Sequence, residues 1–310
     1  MAIKAFRGMP PFSQFLFTIF VVLVTFLIVF TLSMLIAIPI FGADTLFSQF
    51  TNLDYTNPTT INLLKYMQTV QSLGLFLIPP IIIAWLFSGS VKTYLHLNRD
   101  FKFNLVLLAF LLIIAVNPAI NFLGSVNENM RLPEWMAGLE AKMKTMEENA
   151  ALLLEKFMDV KTMGGLLFNL LMIAVIPAFG EEFLFRGVIQ KIFTGWTCNH
   201  HWGIWISAIL FSALHMQFYG FIPRMFLGAL FGYMLVWSGS MWVPVFAHFF
   251  NNAIGVIGLF LINKGTIKPE IEKIGSGTEQ LPIAIISISL TIMLLYFIYK
   301  QKGKHLLLPD

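Results

Sequence analysis

The sequence predicts an all-α fold: a polytopic membrane helix bundle of about eight transmembrane helices, with one amphipathic helix outside the membrane. Three observations carry that prediction. Composition comes first: 57% of the 310 residues are hydrophobic and 12% are charged, where a soluble domain carries roughly 25% charged residues. The 32 Phe and 16 Met add more apolar surface than a soluble core of this length can hide. Second, apolar runs near the ~20 residues needed to cross a bilayer recur along the whole chain. Third, alternate loops carry Lys and Arg that are not balanced by acidic residues, whereas the lysines of the opposite loops are balanced by Asp and Glu in the longer ones, a pattern that orients membrane helices. The net charge of +4 therefore reports topology, and no nucleic-acid partner is expected. The single cysteine, Cys198, excludes an intrachain disulfide and a CxxC metal site.

Lys4 and Arg7 precede an apolar run from Phe12 to Phe41. A signal-peptide core is about 7–15 residues, so this longer run reads as a retained anchor. Further spans are expected at Val70–Phe87, Leu105–Leu123, Met163–Phe179, Ile204–Phe218, Phe221–Trp237, Trp242–Ile262 and Pro282–Tyr299. Pro79-Pro80 interrupts one of them, and the 204–218 run is short. With the N-terminus inside, Lys4/Arg7, Lys92/Arg99/Lys102, Lys191 and Lys300/Lys302/Lys304 all fall on the cytoplasmic side. Both termini are then cytoplasmic, and a bacterial chain would sit in the plasma (inner) membrane.

From Leu132 to Phe157 the pattern changes. Leu132, Trp135, Leu139, Met143, Met146, Ala150, Leu153 and Phe157 recur at steps of three and four with Glu and Lys between them. This is an amphipathic helix, lying at the membrane surface or over the bundle, or else gating a substrate or forming a dimer. No soluble domain and no internal repeat stands out.

Against this apolar background, charge inside a span is informative. An ionised side chain in hydrocarbon costs at least about 2.5–3.5 kcal/mol. Glu181, Glu182 and Arg186 nevertheless follow the run Met163–Pro177 directly. On a helix Glu182 and Arg186 are at i, i+4, where opposite charges meet. Glu181 lies about 100° further round, the carboxylate left over. Two more constellations follow: Phe211-Ser212-Ala213-Leu214-His215, and His248-Phe249-Phe250-Asn251-Asn252. His248 and Asn252 share a helix face, while Asn251 is expected to point elsewhere. His96, His200, His201 and His305 fall in loops or the tail, where exposure to solvent accounts for them.

Two intramembrane His, a free Glu, an Asn and a Glu–Arg pair suffice for hydrolysis. A carboxylate and an imidazole can hold and deprotonate a water, and a second imidazole and an amide can donate to an oxyanion. Two His plus a carboxylate (Glu181, His215, His248) is also a zinc ligand set. No HExxH is present, so the usual zincin arrangement is absent. The cofactor is left open: none, or a divalent metal such as zinc.

EExxxR (Glu181–Arg186), FxxxH (Phe211–His215) and HxxxN (His248–Asn252), in that order on successive hydrophobic helices, resemble the CPBP family. This is the family of CAAX prenyl proteases and bacteriocin-processing or self-immunity enzymes, also called Abi. The resemblance covers about Met163 to Ile262. It implies an intramembrane endopeptidase acting on a membrane-associated or lipidated peptide or protein. It also implies a division of the chain. Residues 1–162 form a variable N-terminal region with about three transmembrane helices and the amphipathic helix. Residues 163–262 form a catalytic core, and 263–310 a loop, a last transmembrane helix and a basic tail. By motif, Glu181 and His215 activate water, His248 and Asn252 hold the oxyanion, and Glu182 and Arg186 support the site. The partnership of His248 with Asn252 favours metal-independent water activation. Two competing classes remain: a non-proteolytic membrane scaffold or bacteriocin self-immunity protein using the same cavity, and an ion-coupled transporter. The transporter would bring inverted repeats with paired broken helices, which the sequence does not show.

Overall fold

Why an apolar chain with so few charges packs at all is answered by where its small and polar residues lie. In a computed structural model, residues 6–48, 54–99 and 103–301 are described; Lys4, Lys102, Lys302, Lys304 and His305 lie outside them. The first helix, α1 (Pro11–Phe41), buries Thr18, Val21, Thr25, Ser33 and Ala37. It leaves Leu16, Leu23, Leu27 and Leu35 outward. Small residues in and large ones out is the arrangement of a helix packed against neighbours within lipid, where close backbone approach substitutes for a hydrophobic drive.

A short α2 (Ala43–Ser48) leads to α3 (Pro58–Ser88), then α4 (Val91–Tyr94) and α5 (Phe103–Glu128). The amphipathic segment is α6 (Ala137–Met158), followed by α7 (Met163–Thr197), α8 (His200–Ala213), α9 (Phe221–Ser238), α10 (Trp242–Asn263) and α11 (Leu281–Lys300). Among the described residues no strand occurs. The all-α membrane bundle is borne out.

Among the described residues seven helices are long and apolar enough to cross a membrane, one fewer than the sequence count. The difference is α8. Its 14 residues reach only about 21 Å at 1.5 Å per residue, short of the ~30 Å hydrocarbon core. It nevertheless packs along both α7 and α9 and fills an eighth place in the bundle. The chain turns directly after it, and that turn carries His215.

The Pro79-Pro80 pair does not end its helix. A π-helical turn at Leu73–Leu77 precedes it, the usual device for absorbing backbone groups that proline leaves unbonded. Helix α7 repeats the device: a π turn at Leu170–Val175 comes just before Pro177. The two bent helices cross closely. A Cβ at Gly180 would stand 2.9 Å from Phe76 Cβ and 3.1 Å from the Phe76 carbonyl carbon, so only glycine lets α7 lie against α3 there.

Helix α6 lies over the bundle, but its docked face is not the whole apolar stripe. Trp135, Leu139 and Met146 are exposed, and Glu140 and Glu147 are sheltered in their place. The two carboxylates face the loop after α8. Glu147 Oε2 accepts from Tyr219 N at 2.9 Å, and Glu140 Oε1 accepts from the Tyr219 hydroxyl at 3.2 Å.

Candidate active site

Everything at the site follows from α7 widening where the motif begins. Residues Glu182–Ile189 form a π-helical stretch, a rare form often found at functional sites. The Glu182–Arg186 pairing survives it, with Arg186 Nη1 2.9 Å from Glu182 Oε1 and both side chains almost fully buried. Arg186 Nη2 also donates to the Gly228 carbonyl at 3.0 Å. Its guanidinium lies over Phe211 and Phe231, 4.7 and 5.4 Å from the ring centroids. Those rings cover the charge with quadrupoles of the right sign.

Glu182 has a second partner. Its Oε1 lies 2.8 Å from His248 Nδ1, and since a carboxylate accepts, that nitrogen carries the proton. The opposite nitrogen, Nε2, is then turned towards Glu181, 3.7 Å from Oε2. His248 also stacks on Phe231 at 5.3 Å. One arginine, one carboxylate and one phenylalanine thus fix the ring and its tautomer, leaving a single nitrogen and Glu181 to face outward.

What they face is a cavity of about 530 Å³ lined by Glu181, His215, His248, Asn251 and Asn252, among others. His215 Nδ1 lies 2.8 Å from the Phe211 carbonyl. A carbonyl can only accept, so Nδ1–H donates and Nε2 is the nitrogen left for chemistry. Phe211 spaces the two histidines, edge-on to each at 5.0 and 6.2 Å between centroids. Immediately after His215 the backbone reverses at Met216, which has a φ of 54°, a left-handed conformation that costs a non-glycine residue about 1–2 kcal/mol. Asn127 of α5 holds this turn: its Nδ2 donates to the Phe218 carbonyl at 3.0 Å, and its Oδ1 accepts from Ile222 N at 2.8 Å.

Asn252 does more than face the cavity. Pro177 can offer no N–H to the carbonyl four residues back. That carbonyl, on Ile173, accepts from Asn252 Nδ2 at 3.0 Å. One of the two amide protons of Asn252 is therefore committed to bracing α7. Asn251, expected to point elsewhere, lines the cavity and donates to Asn252 Oδ1 at 3.1 Å.

The six motif residues are thus in one place, with Glu181 against His248 and not in contact with Arg186. Among the described residues no group of three or more His, Cys, Asp or Glu side chains is placed to hold a metal ion. The other histidines need correction. His200 and His201 start α8, and His201 Nδ1 bonds the Tyr233 hydroxyl at 2.8 Å. His96 is half-buried, and burial beside Lys191 and Arg99 pushes its imidazole down to about 4. Sequence reasoning missed Asn127, Arg224 and Gln217, which lie outside the motifs.

The fold and site define a multi-pass integral membrane protein with a largely apolar cavity among its helices into which a few polar side chains reach. Residues 163–254 match the family model described as Type II CAAX prenyl endopeptidase Rce1-like, and the recognition of CPBP-type motifs is borne out over that segment. An uncharacterised protein of Bacillus subtilis (strain 168), YpbD, is 33% identical over 90 residues, covering 28% of this chain and 43% of that protein. An uncharacterised 24.3 kDa protein of Escherichia coli is 27% identical over 189 residues, 56% of this chain and 85% of that protein. The chain therefore spans less than half of the first relative and most of the second. No solved structure matches. The matched family is one of membrane proteases.

Proposed function

We propose that the protein is an intramembrane endopeptidase that hydrolyses a peptide bond in a membrane-associated or lipidated substrate. The observation that supports this most is the division of labour among the charges. Glu182 is consumed by Arg186 and His248, while Glu181 is left facing a cavity shared with His215. In the proposed reaction Glu181 takes one proton from water while His215 Nε2 accepts a hydrogen bond from the O–H that stays on the water oxygen. The water oxygen adds to the scissile carbonyl carbon. The C–N bond then breaks as the leaving nitrogen receives the proton from Glu181. His248 Nε2 and the remaining N–H of Asn252 donate to the oxyanion between these steps. For His248 this requires the doubly protonated ring, because Nδ1–H stays on Glu182.

No step is routed through a metal. A bacterial host would place the protein in its inner membrane with both termini cytoplasmic. The test is cleavage of a membrane peptide library by purified protein in lipid nanodiscs. Glu181→Gln is expected to lower the rate about 10²–10⁴-fold, the usual contribution of a general base, with thermal unfolding unchanged. Wild-type cleavage rates in that variant would remove Glu181 from the reaction. Undiminished partner binding with no cleavage by the wild type would favour a scaffold.

A further inference from the structure

Arg224 is a half-buried cation that the proposed reaction does not use. It stands on the first turn of α9 and lines the cavity together with Glu181 and His215. Its Nη2 donates to Gln217 Oε1 at 2.6 Å, and its buried Nη1 has no hydrogen-bond partner. Among the described residues no carboxylate lies within 4.0 Å of its guanidinium.

Neither Glu147 nor Glu181 is paired with it. Glu147 accepts from Tyr219 N, and Glu181 Oε2 is 3.7 Å from His248 Nε2. The position compounds the cost, because a cation at a helix N-terminus opposes the macrodipole. A guanidinium is also the side chain whose planar fork fits a carboxylate with two hydrogen bonds. The same cavity is also lined by the apolar Ala150, Leu153 and Phe157 of α6.

We infer that Arg224 anchors a carboxylate of the substrate and thereby sets which peptide bond comes to rest at Glu181. The inference rests on the reading of this cavity as one that receives a peptide. The carboxylate is either the terminal one of the peptide or an acidic side chain, and Gln217 supplies a neighbouring amide at the same end of the cavity.

The test uses three mixtures of apolar decapeptides: free acids, the same sequences as C-terminal amides, and amides carrying one internal Glu. Retention on immobilised full-length protein in nanodiscs is read by mass spectrometry, and cleavage fragments are read separately. The wild type is expected to retain one carboxylate-bearing mixture at least 10-fold over the plain amides. Preference for the free acids identifies the terminal group, and preference for the Glu-bearing amides identifies a side chain. Arg224→Gln is expected to abolish that preference. Arg224→Lys, which keeps the charge, is expected to reduce it several-fold without losing the fold. Equal retention of all three mixtures by the wild type, or an unchanged preference in either variant, overturns the inference. Carboxylate-selective retention with no cleavage of any mixture would sink the hydrolase reading and leave the anchor standing.

Discussion

Arg186 and Arg224 sit in neighbouring helices of one bundle, and their surroundings are opposites. Arg186 has a carboxylate at 2.9 Å, a carbonyl at 3.0 Å and two aromatic faces. Arg224 has one amide oxygen, no carboxylate within 4.0 Å among the described residues, and a cavity. The same contrast separates Glu182, whose Oε1 is held by both Arg186 and His248, from Glu181, which lines the cavity. Charge burial within a membrane is tolerable when each group completes its neighbour. Groups left incomplete beside a cavity mark where something else completes them. The closed set holds the fold, and the open set is where chemistry is proposed.

Substitutions should sort along that line. The largest effect is expected from Arg186→Leu, which strands Glu182 in the bundle. Removing one partner of a buried pair costs about 3–5 kcal/mol, so thermal unfolding in nanodiscs should drop steeply or the protein should fail to accumulate. His215→Ala comes next, with cleavage falling about 10²–10⁴-fold while unfolding stays in place. A His215→Ala protein that is both active and stable would move that residue from the open set to an idle one. Asn252→Leu should blur the contrast. It leaves the Ile173 carbonyl unsatisfied, which costs about 1–3 kcal/mol, and it also slows cleavage.

Smaller still is the expected response of His96, on the loop between α3 and α5. Its imidazole titrates near 4 in the fold against ~6.5 when unfolded. The unfolded chain therefore gains a proton first as pH falls, and stability should decline from about pH 6.5 down to about 4, then level off. His96→Gln should flatten that part of the unfolding-temperature profile.

The membrane bundle was legible because hydropathy and loop charge are local properties of the chain. The Glu182–Arg186 contact was legible for the same reason, since i, i+4 proximity survives even the π-helical stretch that replaced the expected α-helix. Glu181 could be singled out by subtraction. What the sequence did not show depends on contacts between distant segments. The pairing of Glu181 with His248, the capping of Ile173 by Asn252 and the clamping of the His215 turn by Asn127 each join positions tens of residues apart. Asn251 was assigned away from the site on helical geometry alone, yet it reaches the cavity beside Asn252. On α6 the period of the apolar residues was correct, but Glu140 and Glu147 had partners on Tyr219 that no periodicity displays.

The most direct measurement of the central claim compares Glu181→Gln with Glu182→Gln, reading cleavage rate and unfolding temperature for each in the same nanodiscs. The two residues are adjacent and the substitutions identical in kind, so only their surroundings differ. Glu181→Gln should lose cleavage about 10²–10⁴-fold and keep the wild-type unfolding temperature. Glu182→Gln should lower the unfolding temperature, because it unpairs Arg186 and frees His248. The reverse pattern, with Glu181→Gln unstable and Glu182→Gln stable but inactive, would contradict the assignment of the two carboxylates.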